Sequence, residues 1–186
     1  MHAVQNPDNI ISQIKRLVES DKRSEIRLNA NGGNSILLVC PPEHEYLYIE
    51  RIKILMPQEM YHTIDINELL ISFVEENKEI LPEMFDFLKG SVRQIFKAPI
   101  GESTPDFFKK ILSQIEQIFE MNKIPVMYHT GALYGSGIEN IHIMESELVM
   151  KSKYPLIILY PGSHSADNLL FLNSRPSSKY RCMIVN

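Results

Sequence analysis

Two runs of consecutive apolar residues, Ile124-Pro125-Val126-Met127-Tyr128 and Leu156-Ile157-Ile158-Leu159-Tyr160, constrain this chain more than any other feature. Neither run alternates polar with apolar positions, so neither suits a strand with one wet face. Continuous runs bounded by Gly and Pro belong to strands buried on both faces, the habit of a parallel sheet covered by helices. Each run then gives way to a small polar segment, His129-Thr130-Gly131 after the first and Pro161-Gly162-Ser163-His164 after the second. These segments predict two turns at one rim of the sheet. Ligands of open α/β sheets bind outside the strands' carboxyl ends, so any site is expected at that rim.

The remaining pattern fits the same architecture. Ile36-Leu37-Leu38-Val39-Cys40 reads as the first core strand, ended by Pro41-Pro42, and Tyr61 to Ile66 as a short second one. Asp8 to Ser20 places Ile10, Ile11, Ile14, Leu17 and Val18 on one helical face. Asp65 and Glu68 have capping-box spacing ahead of a helix from Asn67 to about Asn77, and Pro82 implies a break and a new helix to about Lys97. Thr104-Pro105-Asp106 reads as a helix start with Thr104 as the cap, opening a wide apolar stripe from Phe107 to Phe119. A helix over Ile138 to Met150 and a final apolar segment, Tyr180 to Val185, complete the series. Strands alternating with amphipathic helices predict an α/β, Rossmann-like three-layer sandwich, with a mostly parallel sheet of about five strands flanked by helices. A chain of 186 residues is expected to form it as one domain spanning 1–186.

Several function classes fall away on composition. A formal net charge of −4 gives no long-range attraction for phosphate backbones, so direct nucleic-acid binding is not favoured. The apolar runs are far shorter than the about 20 residues of a membrane helix. The N-terminal segment Met1 to Pro7 has neither the basic stretch nor the apolar core of a secretory signal. Cys40 and Cys182 give no disulfide framework and no thiolate metal site, which points to a reducing, cytoplasmic setting.

No phosphate-cradling P-loop is present, because Gly32-Gly33 precedes its strand instead of following it. The Gly131-Ala132-Leu133-Tyr134-Gly135-Ser136-Gly137 segment does follow a strand and precede a helix, the context in which amides hold an anion. Its GxxxGxG spacing is not the dinucleotide fingerprint, and a plain glycine turn accounts for it as well. His129, His164 and Asp167 stand at adjacent strand ends and could serve as a general base or as metal ligands. No HExxH, GxSxG or paired-cysteine motif frames them, so no catalytic residue, metal or cofactor is assigned. His142, within a helix, reads as a packed histidine. Lys151, Lys153, Arg175, Lys179 and Arg181 make the C-terminal quarter locally basic.

At these same residues the chain resembles the BrxB family of the BREX bacteriophage-exclusion systems. The likeness covers most of the chain. It is carried by Ile36 to Pro42, by Ile64-Asp65-Ile66-Asn67-Glu68-Leu69-Leu70 and by the strand ending in Thr130-Gly131. It continues through the helix with His142, Pro155 to Gly162 with its Tyr160-Pro161-Gly162 exit, and the tail Ser178-Lys179-Tyr180-Arg181-Cys182-Met183. It lapses between Gly131 and His142. The resemblance implies a cytoplasmic antiviral-defence component working with an ATPase, a methyltransferase and the phosphatase-fold protein PglZ.

The expectation is therefore a non-catalytic adaptor, docking a partner such as PglZ at the strand-end rim. Thr130, Gly131, Tyr134, His142, Tyr160, Gly162, His164 and Arg181 are its candidate ligand- or partner-binding residues. Tyr160, Tyr134 and Arg181 are of the types that anchor interfaces, and Tyr160 is expected to be replaceable without loss of the fold. The rival expectation is a small-ligand or nucleotide-binding domain, catalytic or not, built on the glycine turn and the His129/His164 pair.

Overall fold

The computed structural model describes residues 6–20, 23–99, 101–102, 105–165, 168–177 and 179–186. The expectations for Thr104, Asp167, Ser178 and the first five residues lie outside them. Five strands form a parallel sheet: β1 (Ser35–Cys40), β2 (Tyr61–Asp65), β3 (Ile124–Tyr128), β4 (Leu156–Ser165) and β7 (Met183–Val185), in the order β2-β3-β4-β1-β7. Two short strands, β5 (Asn168–Phe171) and β6 (Arg175–Pro176), continue from the far end of β4 in antiparallel pairing. The architecture is α/β with helices on both faces, as the alternation of apolar runs requires.

Both faces of the central strands are dry, and each successive residue feeds a different core. In β1, Ile36, Leu38 and Cys40 enter one cluster while Leu37 and Val39 enter the other; in β4, Ile157 and Leu159 join the first and Leu156, Ile158 and Tyr160 the second. This is the period-2 geometry of a strand with no solvent face. The first cluster is covered by α1 (Pro7–Glu19), α2 (Arg23–Asn29) and α3 (Glu45–Leu55). The second is covered by α4 (Ile66–Asn77), α5 (Leu81–Phe87), α6 (Arg93–Phe96), α7 (Phe107–Glu120), α8 (Asn140–Met144) and α9 (Glu147–Lys151).

Local chemistry sets the helix ends. Asp65, the last residue of β2, accepts the amides of Asn67 at 2.9 Å and Glu68 at 3.4 Å, so the predicted cap of α4 is present. The start of α7 lies two residues later than predicted. Asp106 is the cap, its Oδ1 accepting the Lys109 amide at 3.0 Å while its Oδ2 takes the Ala98 amide at 3.2 Å. One carboxylate thereby satisfies both the helix start and the preceding loop. The helix predicted over 138–150 is two, because Ser146 turns its hydroxyl back to the Ile143 carbonyl at 2.8 Å and caps α9 through the Val149 amide. The helix predicted after Pro82 is likewise split, into α5 and α6, by the Lys89-Gly90-Ser91 turn.

The sheet is stitched at the amino end of β1. Buried Asn34 donates its amide to the carbonyls of Val149, Ser152 and Tyr154 at 2.9–3.0 Å, and its own carbonyl accepts the Leu156 amide at 3.1 Å. Beside it, Gly33 has no room for a side chain, since a Cβ there would overlap the carbonyl oxygen of Arg181 on the approach to β7. Gly33→Ala is expected to lower stability by about 1–3 kcal/mol or more in urea melts. Gly90→Ala, where a Cβ meets open space, should change it by less than about 1 kcal/mol. Equal effects of the two would refute the close approach.

Candidate functional site

The strand-end rim forms where β2 and β3 finish side by side, with Asp65 in register with Tyr128. His129 then leaves the sheet at φ 56°, a left-handed backbone that few non-glycine residues adopt. Its amide donates to the Glu45 carboxylate at 3.1 Å, and its Nδ1 lies 2.9 Å from Asp65 Oδ1. The turn is thus held by acids from two other elements, which offsets the strain at His129. Burial raises the Glu45 carboxyl; His129 draws it back down, and Asp65 adds to the rise. Tyr128 is raised too, by burial first and then by Asp65, while Lys53 sits 5.5 Å over its ring.

A histidine steered by a carboxylate is the geometry of a held general base. Among the described residues no hydroxyl or thiol hydrogen-bonds to His129, and no group of three or more His, Cys, Asp or Glu is placed to hold a metal. The structure ties His129 to Asp65 and Glu45 and does not join it to His164, the partner expected from sequence. Burial pushes the Cys182 thiol up to about 12 and Cys40 higher still, so neither is disposed to act as a thiolate.

The second predicted turn is not a turn. After Tyr160 the chain stays extended through Ser165, because Pro161 closes the parallel ladder opposite Cys40 and Gly162-Ser163-His164-Ser165 pair with β5 instead. Proline brings no amide to continue a ladder, and bare Gly162 lets the Leu170 carbonyl approach where a Cβ would overlap it. His164 accordingly lies on this antiparallel extension, half-buried. Met127 and Ile158 are paired and parallel as expected, so β3 and β4 do run to one rim.

Tyr160 is fully buried, its hydroxyl bonded to Ser177 and its ring packed on Phe171 and Tyr180 at centroid distances of 5.2 and 6.2 Å. It is a core residue; truncation would open a cavity, so it is neither a docking anchor nor replaceable at no cost. Thr130 is also buried, its hydroxyl directed to the Leu159 carbonyl at 3.4 Å. Gly131 lies in the short 3-10 turn that follows, Thr130–Leu133. Arg181 is held by Glu145 at 3.0 Å, and that bond keeps the Glu145 carboxyl below the usual range. Of the expected anchors, only Tyr134 stands free in solvent.

The glycine turn does border a small cavity of about 30 Å³, lined by Leu133, Tyr134, Ile138, Glu139, Asn140 and Tyr180 among others. Asn140 is buried and its Oδ1 meets no hydrogen-bonding protein atom among the described residues, while Arg175 closes one side through its bond to Glu139 at 2.7 Å. A further feature leaves no mark in the sequence pattern. Ile71, Val74, Ile80, Phe85 and Phe87, on α4, α5 and the turn between them, are exposed, Phe87 at 88% and Ile71 at 64%. No protein-family model, curated protein or solved structure matches the chain. Among the described residues, no helix is long and apolar enough to cross a membrane.

Burial and, to a lesser degree, Lys97 hold His142 below its ordinary value of 6.5, and its neutral Nδ1 accepts the Glu139 amide at 3.0 Å. The unfolded chain therefore takes up this proton first as pH falls. Stability present above about pH 6.5 is lost below it. His142→Gln is expected to flatten the fall in melting temperature between about pH 7 and pH 5. Identical slopes in variant and wild type would remove His142 as the cause.

Proposed function

We propose that this protein is a non-catalytic adaptor that docks a partner protein, in an anti-phage assembly of the kind the BrxB resemblance implies, with a PglZ-type protein as the partner. One observation supports this above the others: five large apolar side chains, Ile71, Val74, Ile80, Phe85 and Phe87, are exposed on α4, α5 and the turn joining them. Such residues scattered singly need no explanation, whereas five within residues 71–87 are a concentration that a covering partner accounts for. The docking surface proposed is this one, not the strand-end rim, where Asp65 and Glu45 are engaged in holding the His129 turn. Replacing Phe85 and Phe87 together with Ser should cut capture of a co-expressed PglZ-type protein at least about tenfold, the scale of losing an aromatic anchor, while the variant melts cooperatively. Unchanged capture by a folded variant overturns the proposal.

A further inference from the structure

The charges around the exposed apolar residues specify what should cover them. Over residues 66–89 six acids, Glu68, Glu75, Glu76, Glu79, Glu83 and Asp86, stand against two lysines, Lys78 and Lys89. That excess of four negative charges equals the formal net charge of the whole chain. Internal pairing neutralises little of it: Glu76 meets Lys110 of α7 at 2.6 Å and Glu75 meets Lys78 at 3.8 Å. Glu79, Glu83 and Asp86 form no ion pair among the described residues. They flank Ile80, Phe85 and Phe87 in sequence, on the same turn and helix. The turn also carries a surface depression of about 180 Å³, lined by Glu75, Glu76, Asn77, Lys78, Glu79 and Ile80.

We infer that the segment seated on α4 and α5 is a basic amphipathic one, presenting apolar side chains to Phe85, Phe87 and Ile80 and Lys or Arg side chains to Glu79, Glu83 and Asp86. The inference rests on the adaptor proposal and adds the chemistry of the partner. A neutral apolar partner covering the aromatic rings would strip water from these carboxylates without returning a counter-charge, at a cost that opposes docking. A basic segment restores the charge while burying the rings, the arrangement of an amphipathic helix laid on an acidic, apolar surface. The same charges argue against the other occupants. A second copy across a two-fold axis would set acids against acids, and anionic lipid or a phosphate backbone would be repelled.

The test uses the full chain and two synthetic amphipathic helices of one pattern, leucine with lysine and leucine with glutamate, titrated by fluorescence anisotropy. The leucine–lysine peptide should bind, more weakly as salt rises, and the leucine–glutamate peptide should not. The triple variant Glu79→Gln, Glu83→Gln, Asp86→Asn should lose at least about fivefold in affinity, and so should the Phe85→Ser, Phe87→Ser pair. Removing two exposed acids of α7, Glu116→Gln and Glu120→Gln, should change it by less than about twofold, which excludes a general attraction of cationic peptide to an acidic chain. Equal binding of both peptides, or a folded triple variant that binds like the wild type, overturns the inference. Capture of the PglZ-type protein separates the two proposals. Loss in the Phe pair with full retention in the triple variant keeps the adaptor and rejects the basic partner. Retention in the Phe pair rejects the adaptor itself.

Discussion

The pairing of β1 with β4 is the interaction on which the rest of this molecule depends. Six residues of each strand lie in register, Ser35 against Leu156 through Cys40 against Pro161, and their side chains supply both cores at once. Because neither strand has a wet face, a slip of one residue would send every side chain into the opposite core. Asn34 fixes that register at its amino end. Its amide spends its donors on three carbonyls around the α9–β4 connection, a site where a buried amide would be costly if left unpaired. The outer strands β2, β3 and β7 take their positions from this pair.

Above it, the rim shows how carboxylates near a strand end can be engaged by structure. Asp65 caps α4 and also meets His129; Glu45, at the start of α3, takes the His129 amide. Two carboxylates from elements on opposite faces thus converge on one left-handed residue. The cluster has the residue types of a catalytic site and the bonding of a clamp. Less internally bonded is the stretch from the end of α4 through α5, where Ile80, Phe85 and Phe87 are exposed and Glu79, Glu83 and Asp86 form no ion pair among the described residues.

What the sequence made legible follows from how local each signal is. Continuous apolar runs located β1, β3 and the first half of β4 because burial on both faces leaves a pattern that needs no knowledge of partners. The Asp65 cap was legible for the same reason, since it acts on amides two and three residues away. The extension of β4 was not. Pro161-Gly162 is the composition of a turn, and only the later run Leu169-Leu170-Phe171, a strand in its own right, shows that the chain goes on straight. Tyr160 looked like an anchor because an aromatic at a strand exit can point either way, and its burial depends on Phe171, Ser177 and Tyr180 arriving from downstream. The exposed residues of α4 and α5 were hidden by resemblance to core: Ile71 and Phe85 have the same character as Phe73 and Leu81, which are buried. Only tertiary packing separates the two sets.

The order of the strands carries a consequence for how the chain is made. β1 occupies the interior of the sheet, yet both of its neighbours, β4 and β7, are encoded far downstream of it, about 120 residues later for β4. On a ribosome this strand emerges well before either partner and waits, two-sided and greasy, until they follow. Nascent chains of this layout are candidates for holdase protection during that interval, because long-range parallel pairing closes late and leaves unpaired edges exposed meanwhile.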